Sequence, residues 1–289
     1  MHDPEKMMAD LQRLLQTQNF KSKEELEQFM NSLMGSPIPS FPKEALSAQE
    51  QAEDLVFAAR ELPPAQARKK AKEALQLDPD CIAAYELLGH LSTTPEAARR
   101  QYAKGEAIGR RLFGGEYLEQ NARHFWGLHE TRPFMRILYE LAELHYLFGR
   151  KRDCVQQLEE MLELNPMDNQ GVRYQLLLYL LELDELEKFR QYDALFAEEA
   201  GAFMAFTRAL YRFKAEGASA AADQALQEAM QQNLFVLPNL TAARPPMTMP
   251  PFYGIGDKNE AQYYAVLAHQ IWKETPGAVA WLKKQKGKK

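Results

Sequence analysis

Three pairs of arginine and tyrosine, one on each of three successive predicted helices, are the residues whose types and spacing suggest binding chemistry. The pairs are Arg136 with Tyr139, Arg173 with Tyr174, and Arg208 with Tyr211. A guanidinium group donates parallel hydrogen bonds to a carboxylate or phosphate, and a tyrosine ring stacks on apolar or aromatic side chains. If the three arginines face one groove, we expect an acidic segment of a partner to contact all of them. Arginines on neighbouring helices also form structural ion pairs, here with acids such as Glu140 and Glu143, and the sequence favours neither role.

A run of aromatic and polar residues from Asn121 to Pro133 is the second candidate binding segment. It interrupts the regular apolar pattern on either side of it. One interpretation is that Phe125 and Trp126 fill a seam in the core. The other is that Trp126 and Arg132 line a ligand pocket, in which case the protein would be a small-molecule or nucleotide sensor.

The sequence contains no recognisable catalytic or metal-binding motif. A phosphate-binding glycine loop, a nucleophile elbow and a Cys-x-x-Cys pair are all missing. His124 and His129 are not spaced to share one face of a helix, and Cys81 and Cys154 lack the spacing of metal ligands. We therefore expect no catalytic residues, no metal and no cofactor.

The elements that would position the arginines are helical hairpins, which recur between Met135 and Val236 with a period of about 34 residues. The units that begin at Met135 and Phe203 have large apolar residues where two helices would pack. They have small residues, Ala142 and Ala222 among others, where the helices would cross. Small residues allow helices to approach, and each hairpin leaves an apolar face for the next hairpin to cover.

Three further units fit the same pattern less completely. The unit from Asn169 has Lys188 where a small residue is expected. A unit ending at Pro79 begins at Ser47, whose spacing to a following glutamate predicts a capping box. The next unit, from Tyr85, is degenerate, and Thr94 is predicted to cap its second helix.

A period of this length, with large apolar and small residues at these positions, is typical of the tetratricopeptide repeat, TPR. The segments 121–136, 161–174, 206–210 and 256–278 also resemble bacterial TPR proteins related to the suppressor-of-tumorigenicity family, over about residues 113 to 282. The resemblance implies a cytosolic helical-repeat fold and no established activity. We expect an all-α, TPR-like solenoid that forms a right-handed superhelix.

In TPR proteins the first helix of each repeat lines the concave groove, so the resemblance implies that the three arginine and tyrosine pairs face it. Chaperone-type TPR domains hold a terminal carboxylate with Lys and Asn where this chain has Tyr139 and Glu143. We therefore do not expect the partner to be a terminal carboxylate of the kind that chaperone-type TPR domains bind.

The two ends of the chain lie outside the clear repeats. The sequence predicts two short helices and a proline-rich linker over residues 1–42. It predicts the solenoid, with capping helices at its C-terminal end, over residues 43–289. The N-terminal hairpin is either a cap on the solenoid or a separate docking element. We expect the solenoid to fold without it, and we expect the basic tail 283–289 to be frayed.

Composition agrees with an ordinary globular protein. The chain of 289 residues is 46% hydrophobic and 26% charged, with a formal net charge of −5. A net charge this small creates no overall electrostatic field that would favour nucleic acid or an anionic membrane. The longest apolar run, 176–183, is too short to cross a bilayer. We expect a cytoplasmic protein that binds a protein or peptide, possibly acidic, with no nucleic acid or membrane partner. The oligomeric state is left open.

Overall fold

The computed structural model describes residues 3–35, 38–39 and 41–286, and the regular structure within these ranges is entirely helical. The α-helices are α1 (Pro4–Gln16), α2 (Lys23–Leu33), α3 (Ala48–Arg60), α4 (Pro64–Leu77), α5 (Ile82–His90), α6 (Pro95–Leu112), α7 (Gly115–Asn121), α8 (Arg132–Leu147), α9 (Lys151–Leu164), α10 (Val172–Glu182), α11 (Leu186–Leu195), α12 (Ala202–Glu216), α13 (Ala220–Gln232), α14 (Val236–Leu240), α15 (Lys258–Glu274) and α16 (Ala278–Lys286). The prediction of an all-α chain is confirmed for these ranges.

The chain divides into two compact units. Unit 1 contains residues 1–150 and 160–169, and unit 2 contains residues 151–159 and 170–289. Helices α1 and α2 therefore belong to unit 1. The linker predicted over residues 35–42 includes positions 36, 37 and 40, which lie outside the described residues, as do positions 287–289 of the basic tail. The domain boundary predicted at residue 42 stays a prediction.

Helices that follow one another along the chain pack as pairs within each unit. In unit 1 these pairs are α3 with α4 and α5 with α6, and in unit 2 they are α10 with α11, α12 with α13, and α14 with α15. The predicted starts of two helices, α3 and α6, are confirmed. Ser47 and Glu50 form the capping box that opens α3, and the Thr94 hydroxyl accepts a hydrogen bond from the backbone of Ala97 at the start of α6.

Glycines allow the helices of unit 1 to approach closely. A methyl group added at Gly89 would lie 2.1 Å from the ring of Tyr102, and one added at Gly109 would lie 2.1 Å from the ring of Phe134. Real Cβ atoms do not come so close to other heavy atoms. The crossing of α6 with α8 therefore requires glycine at position 109.

The segment where the repeat pattern breaks contains α7, which the sequence did not predict, followed by a turn that carries Phe125. This side chain is 1% exposed. Its ring centroid lies 6.1 Å from that of Phe113, 6.0 Å from that of Tyr117 and 6.4 Å from that of Phe134. Phe125 thus fills the core of unit 1, as the first of the two interpretations of this segment states.

The core of unit 2 is built on buried aromatic residues from α12 and the C-terminal helices. Trp272 donates a hydrogen bond to the Tyr264 hydroxyl at 3.1 Å, and Trp281 stacks on Phe213 with centroids 4.7 Å apart. The C-terminal helices therefore contribute large core residues and do more than shield the repeats from water. Lys188 is accommodated because its amine pairs with Glu159 at 2.7 Å.

We expect Gly109→Ala to lower the free energy of unfolding by about 1 to 3 kcal/mol, since the added methyl group overpacks the crossing of α6 with α8. Alanine has the higher helix propensity by about 1 kcal/mol, so a stabilised variant would show that this crossing is loose. Denaturant unfolding would measure the change. Ala107→Leu, at an exposed position of α6, is the control and should leave stability nearly unchanged.

Candidate functional site

Arg136 on α8 forms a two-pronged ion pair with a neighbouring helix of unit 1. Its Nε and Nη2 atoms donate to the two carboxylate oxygens of Glu86 on α5, at 2.6 and 2.9 Å. Glu86 is buried, so its charge requires a partner in the protein. The guanidinium plane meets this need with two parallel hydrogen bonds and still has donors to spare.

The remaining donors of Arg136 bind a carboxylate from the N-terminal helix α1. Glu5 accepts hydrogen bonds from Arg136 through Oε1 and from Arg60, at the end of α3, through Oε2 at 2.7 Å. Asp3 also accepts from Arg60, at 3.1 Å. Burial opposes ionisation of Glu5, but the charges and hydrogen bonds of Arg136 and Arg60 outweigh it and hold the pKa of Glu5 below its usual value.

At the C-terminal end of α1 the charges are reversed, since α1 contributes the base and α3 contributes the acids. The buried Arg13 guanidinium pairs with Asp54 at 2.8 Å and with Glu50 at 3.2 Å, both on α3, and it donates to the Glu50 carbonyl. Within α1 it also contacts Asp10 at 3.0 Å. Lys6 adds a further pair with Asp54 at 3.1 Å.

These contacts define one surface of unit 1, which we call the α1-docking surface. It consists of Arg60, Glu50 and Asp54 on α3, Glu86 on α5 and Arg136 on α8. One end of this surface is basic and the other is acidic. It can therefore bind a helix whose own charges have the complementary order.

A cavity of about 270 Å³ adjoins the α1-docking surface. It is lined by aromatic rings, including Phe57 and Tyr117, and by several carboxylates, including Glu53 and Glu130. Burial raises the pKa of Glu53 above its usual value and lowers that of His129, whose Nδ1 atom is buried without a hydrogen-bond partner in the described structure. A small neutral or cationic group suits these walls better than a phosphate does.

In unit 2, Arg173 and Tyr174 bind the same carboxylate. Arg173 donates to Glu199 at 2.9 Å, and the Tyr174 hydroxyl donates to the other oxygen of Glu199 at 2.7 Å. The Arg173 guanidinium also lies 4.3 Å from the centroid of the Tyr174 ring. Arginine and tyrosine thus form a structural contact with the segment between α11 and α12.

Arg208 holds the same segment from α12. It donates to Asp193 at 2.7 Å and to the backbone carbonyls of Glu199 and Phe196 at 2.7 and 2.8 Å. Tyr211, one turn further along α12, stacks face to face on Phe189 with centroids 4.6 Å apart. Arg208 therefore binds carbonyl groups of the connection between α11 and α12.

The predicted site residues are thus distributed over both units. Arg136, Tyr139, Trp126 and Arg132 belong to unit 1, and Arg173, Tyr174, Arg208 and Tyr211 belong to unit 2. A single groove containing all three arginines stays a prediction. Arg136, Arg173 and Arg208 each form ion pairs, as the structural alternative states, and their described partners include Glu86, Glu5, Glu199 and Asp193. Glu140, one of the acids named from the sequence, pairs with His90.

The second predicted cluster is a contact within its own segment. Arg132 donates to the Trp126 carbonyl at 3.0 Å, and its guanidinium lies 5.8 Å from the centroid of the indole ring. Neither residue lines the cavity of about 270 Å³. The half-buried Tyr139 lies on α8, one turn beyond Arg136.

Sequence reasoning missed Arg60, Glu86, Glu5 and Arg13. A signal was present in α1, where Asp3 and Glu5 at the first turn and Arg13 in the last turn follow the preference of helix ends for opposite charges. The same order of charges is what the α1-docking surface complements.

Among the described residues, no group of three or more His, Cys, Asp or Glu side chains could hold a metal ion. No helix in the same ranges combines the length and apolarity needed to cross a membrane. No protein-family model matches the chain, and no curated protein matches it.

We expect Arg208→Gln to lower the free energy of unfolding by about 1.5 to 3 kcal/mol, since it removes charged hydrogen bonds to Asp193 and to two backbone carbonyls. Arg212→Gln, which breaks an exposed pair with Glu216 and a contact with the Tyr211 ring on the same helix, is the matched control. Thermal and denaturant unfolding would compare the two. Equal stability of both variants would show that Arg208 has no structural role.

Proposed function

We propose that this protein is a cytoplasmic, TPR-like right-handed solenoid that binds an acidic helical segment of another protein and has no catalytic activity. The observation that carries the proposal is the shared carboxylate of Glu5. Arg60 and Arg136, from two different helices, converge on it. Two guanidinium groups that meet at one point form a binding site for a carboxylate.

The contribution of successive hairpins supports the repeat interpretation. Arg60 lies on α3, Glu86 on α5 and Arg136 on α8. In the predicted register these are the first helices of three consecutive units, and TPR proteins use such helices to line their grooves. Helices packed about 10 Å apart present a row of side chains that one extended or helical segment can span.

The chemistry of the surface favours a protein partner over a nucleic acid. Acidic residues Glu50 and Asp54 stand at one end of the surface and Glu86 at the other. These carboxylates would repel a phosphate backbone, which requires several uncompensated cations. A polypeptide helix can offer both signs of charge, and the observed contacts of α1 show that such a helix fits.

The cavity beside Phe57 and Tyr117 favours a second candidate function, which is the binding of a small molecule. Its volume of about 270 Å³ and its aromatic walls suit a small ligand. Because carboxylates line it, we favour a neutral or cationic ligand over the nucleotide suggested by the arginine cluster. Thermal stabilisation of the protein by a panel of small amines and neutral metabolites would test this function.

Arg60→Gln should weaken partner binding by about 1.5 to 3 kcal/mol, because it removes a charged hydrogen-bond donor. Arg60 is preferred to Arg136 for this test because it has no buried partner that would be left unpaired. The intact protein would be used as bait, with photo-crosslinking, and the crosslinked segment of the partner identified by mass spectrometry.

The matched control is Arg212→Gln, which removes one exposed arginine from unit 2. We expect an acidic helical segment to be recovered with the wild type and with Arg212→Gln, and to be lost with Arg60→Gln. Equal recovery with all three proteins, or crosslinks confined to other surfaces, would contradict the proposed site.

A further inference from the structure

We infer that α1 is a displaceable internal ligand of the α1-docking surface, and that the external partner is a helix with the same order of charges. Such a helix has a carboxylate in its first turn and an arginine about two turns later. The inference rests on the proposed function and adds both the regulation of the site and the chemistry of the partner.

The face by which α1 docks is polar, whereas a structural helix normally docks through its apolar face. The buried residues of α1 are Ala9, Asp10 and Arg13. Met7 and Met8 are 45% and 46% exposed, and Leu11, Leu14 and Leu15 are half-buried. Two of the three fully buried side chains of α1 are therefore charged, and we attribute its position on the unit chiefly to ion pairs.

The helix that follows α1 is covered less completely than the helices of the core. None of the residues of α2 is buried. The chain then continues through the segment around residues 35–42, which contains several prolines. The described contacts of α1 with Arg60, Asp54 and Arg136 are consequently the contacts that its release would have to break.

The charges of α1 and its docking surface define an orientation. Glu5 binds the basic end formed by Arg60 and Arg136, and Arg13 binds the acidic end formed by Glu50 and Asp54. Eight residues separate Glu5 from Arg13, which is about 12 Å along a helix. A competing helix must carry its acid and its base at this spacing and in this direction.

The α1-docking surface remains organised when α1 leaves, but its charges lose their partners. Arg136 keeps its two hydrogen bonds to the buried Glu86. Arg60 loses Asp3 and Glu5, and Asp54 loses Arg13 and Lys6. The open surface is thus a charged site without a ligand, and an external helix must compete with an internal one at high effective concentration.

The test uses the full-length chain and a fluorescent peptide with the sequence of residues 3–17. Glu5→Gln combined with Arg13→Gln removes the two charges by which α1 binds the opposite ends of the surface, keeps Asp3 and Lys6, and leaves the surface unaltered. We expect this double variant to bind the peptide at least about tenfold more tightly than the wild type, because the internal competitor is weakened. Fluorescence anisotropy measures the affinity.

Two controls isolate the charges of α1. Lys23→Gln combined with Glu27→Gln removes one base and one acid from an exposed pair on α2, and should bind the peptide as weakly as the wild type does. A peptide with its two charges exchanged, carrying Glu5→Arg and Arg13→Glu, should not bind the double variant.

Three results would overturn the inference. In the first, the peptide binds the wild type and the double variant equally. In the second, the peptide fails to bind a double variant in which rapid cleavage of α1 by a protease shows that α1 has been released. In the third, unit 1 of the double variant unfolds, which would make α1 an integral cap. That third result leaves the proposed function intact if Arg60→Gln still abolishes capture of the partner, so the two failures can be told apart.

Discussion

The two hydrogen bonds from Arg136 to Glu86 are the interaction on which the rest of unit 1 depends. Glu86 is a buried carboxylate, and removing its partner would leave an uncompensated charge at a cost of about 3 to 5 kcal/mol. The pair fixes α5 relative to α8. It also holds the guanidinium plane of Arg136 in one orientation, with its remaining edge directed at Glu5. The position of α1 follows from an electrostatic constraint inside the unit.

Arginine has a different task in unit 2. Arg173 and Arg208 bind the side chain and the backbone carbonyl of Glu199, respectively, and Arg208 also binds Asp193. Together they close the connection between α11 and α12. The chain thus places arginines at similar positions of successive hairpins and uses them for different purposes, because the carboxylates that meet them come from different parts of the chain.

Local patterns in the sequence were sufficient for most helices. Ser47 and Thr94 cap their helices as predicted, and the small residues Ala142 and Ala222 are fully buried. Helices α7 and α14 were missed since they have only 7 and 5 residues, too few to show a periodic apolar face. The spacing of apolar residues predicts which of them are buried, because residues separated by one helical turn lie on the same face of the helix.

The partners of the arginines could not be predicted in the same way. Glu5 and Arg136 are separated by 131 positions, and no local rule connects them. The sequence identified Arg136 as a binding residue and left open whether it serves a groove or a structural bridge. In the structure Arg136 forms ion pairs with the buried Glu86 and with Glu5 of α1, and its role in a groove stays a prediction.

Hydrogen–deuterium exchange of the intact protein at low and high salt tests most directly whether α1 is held by ion pairs. Salt screens exposed and half-exposed charge pairs and leaves apolar packing in place. The account predicts that the amides of α1 lose protection at high salt while those of α3, α5 and α8 keep theirs. Protection of α1 that does not change with salt, or that changes in step with α3, would contradict it.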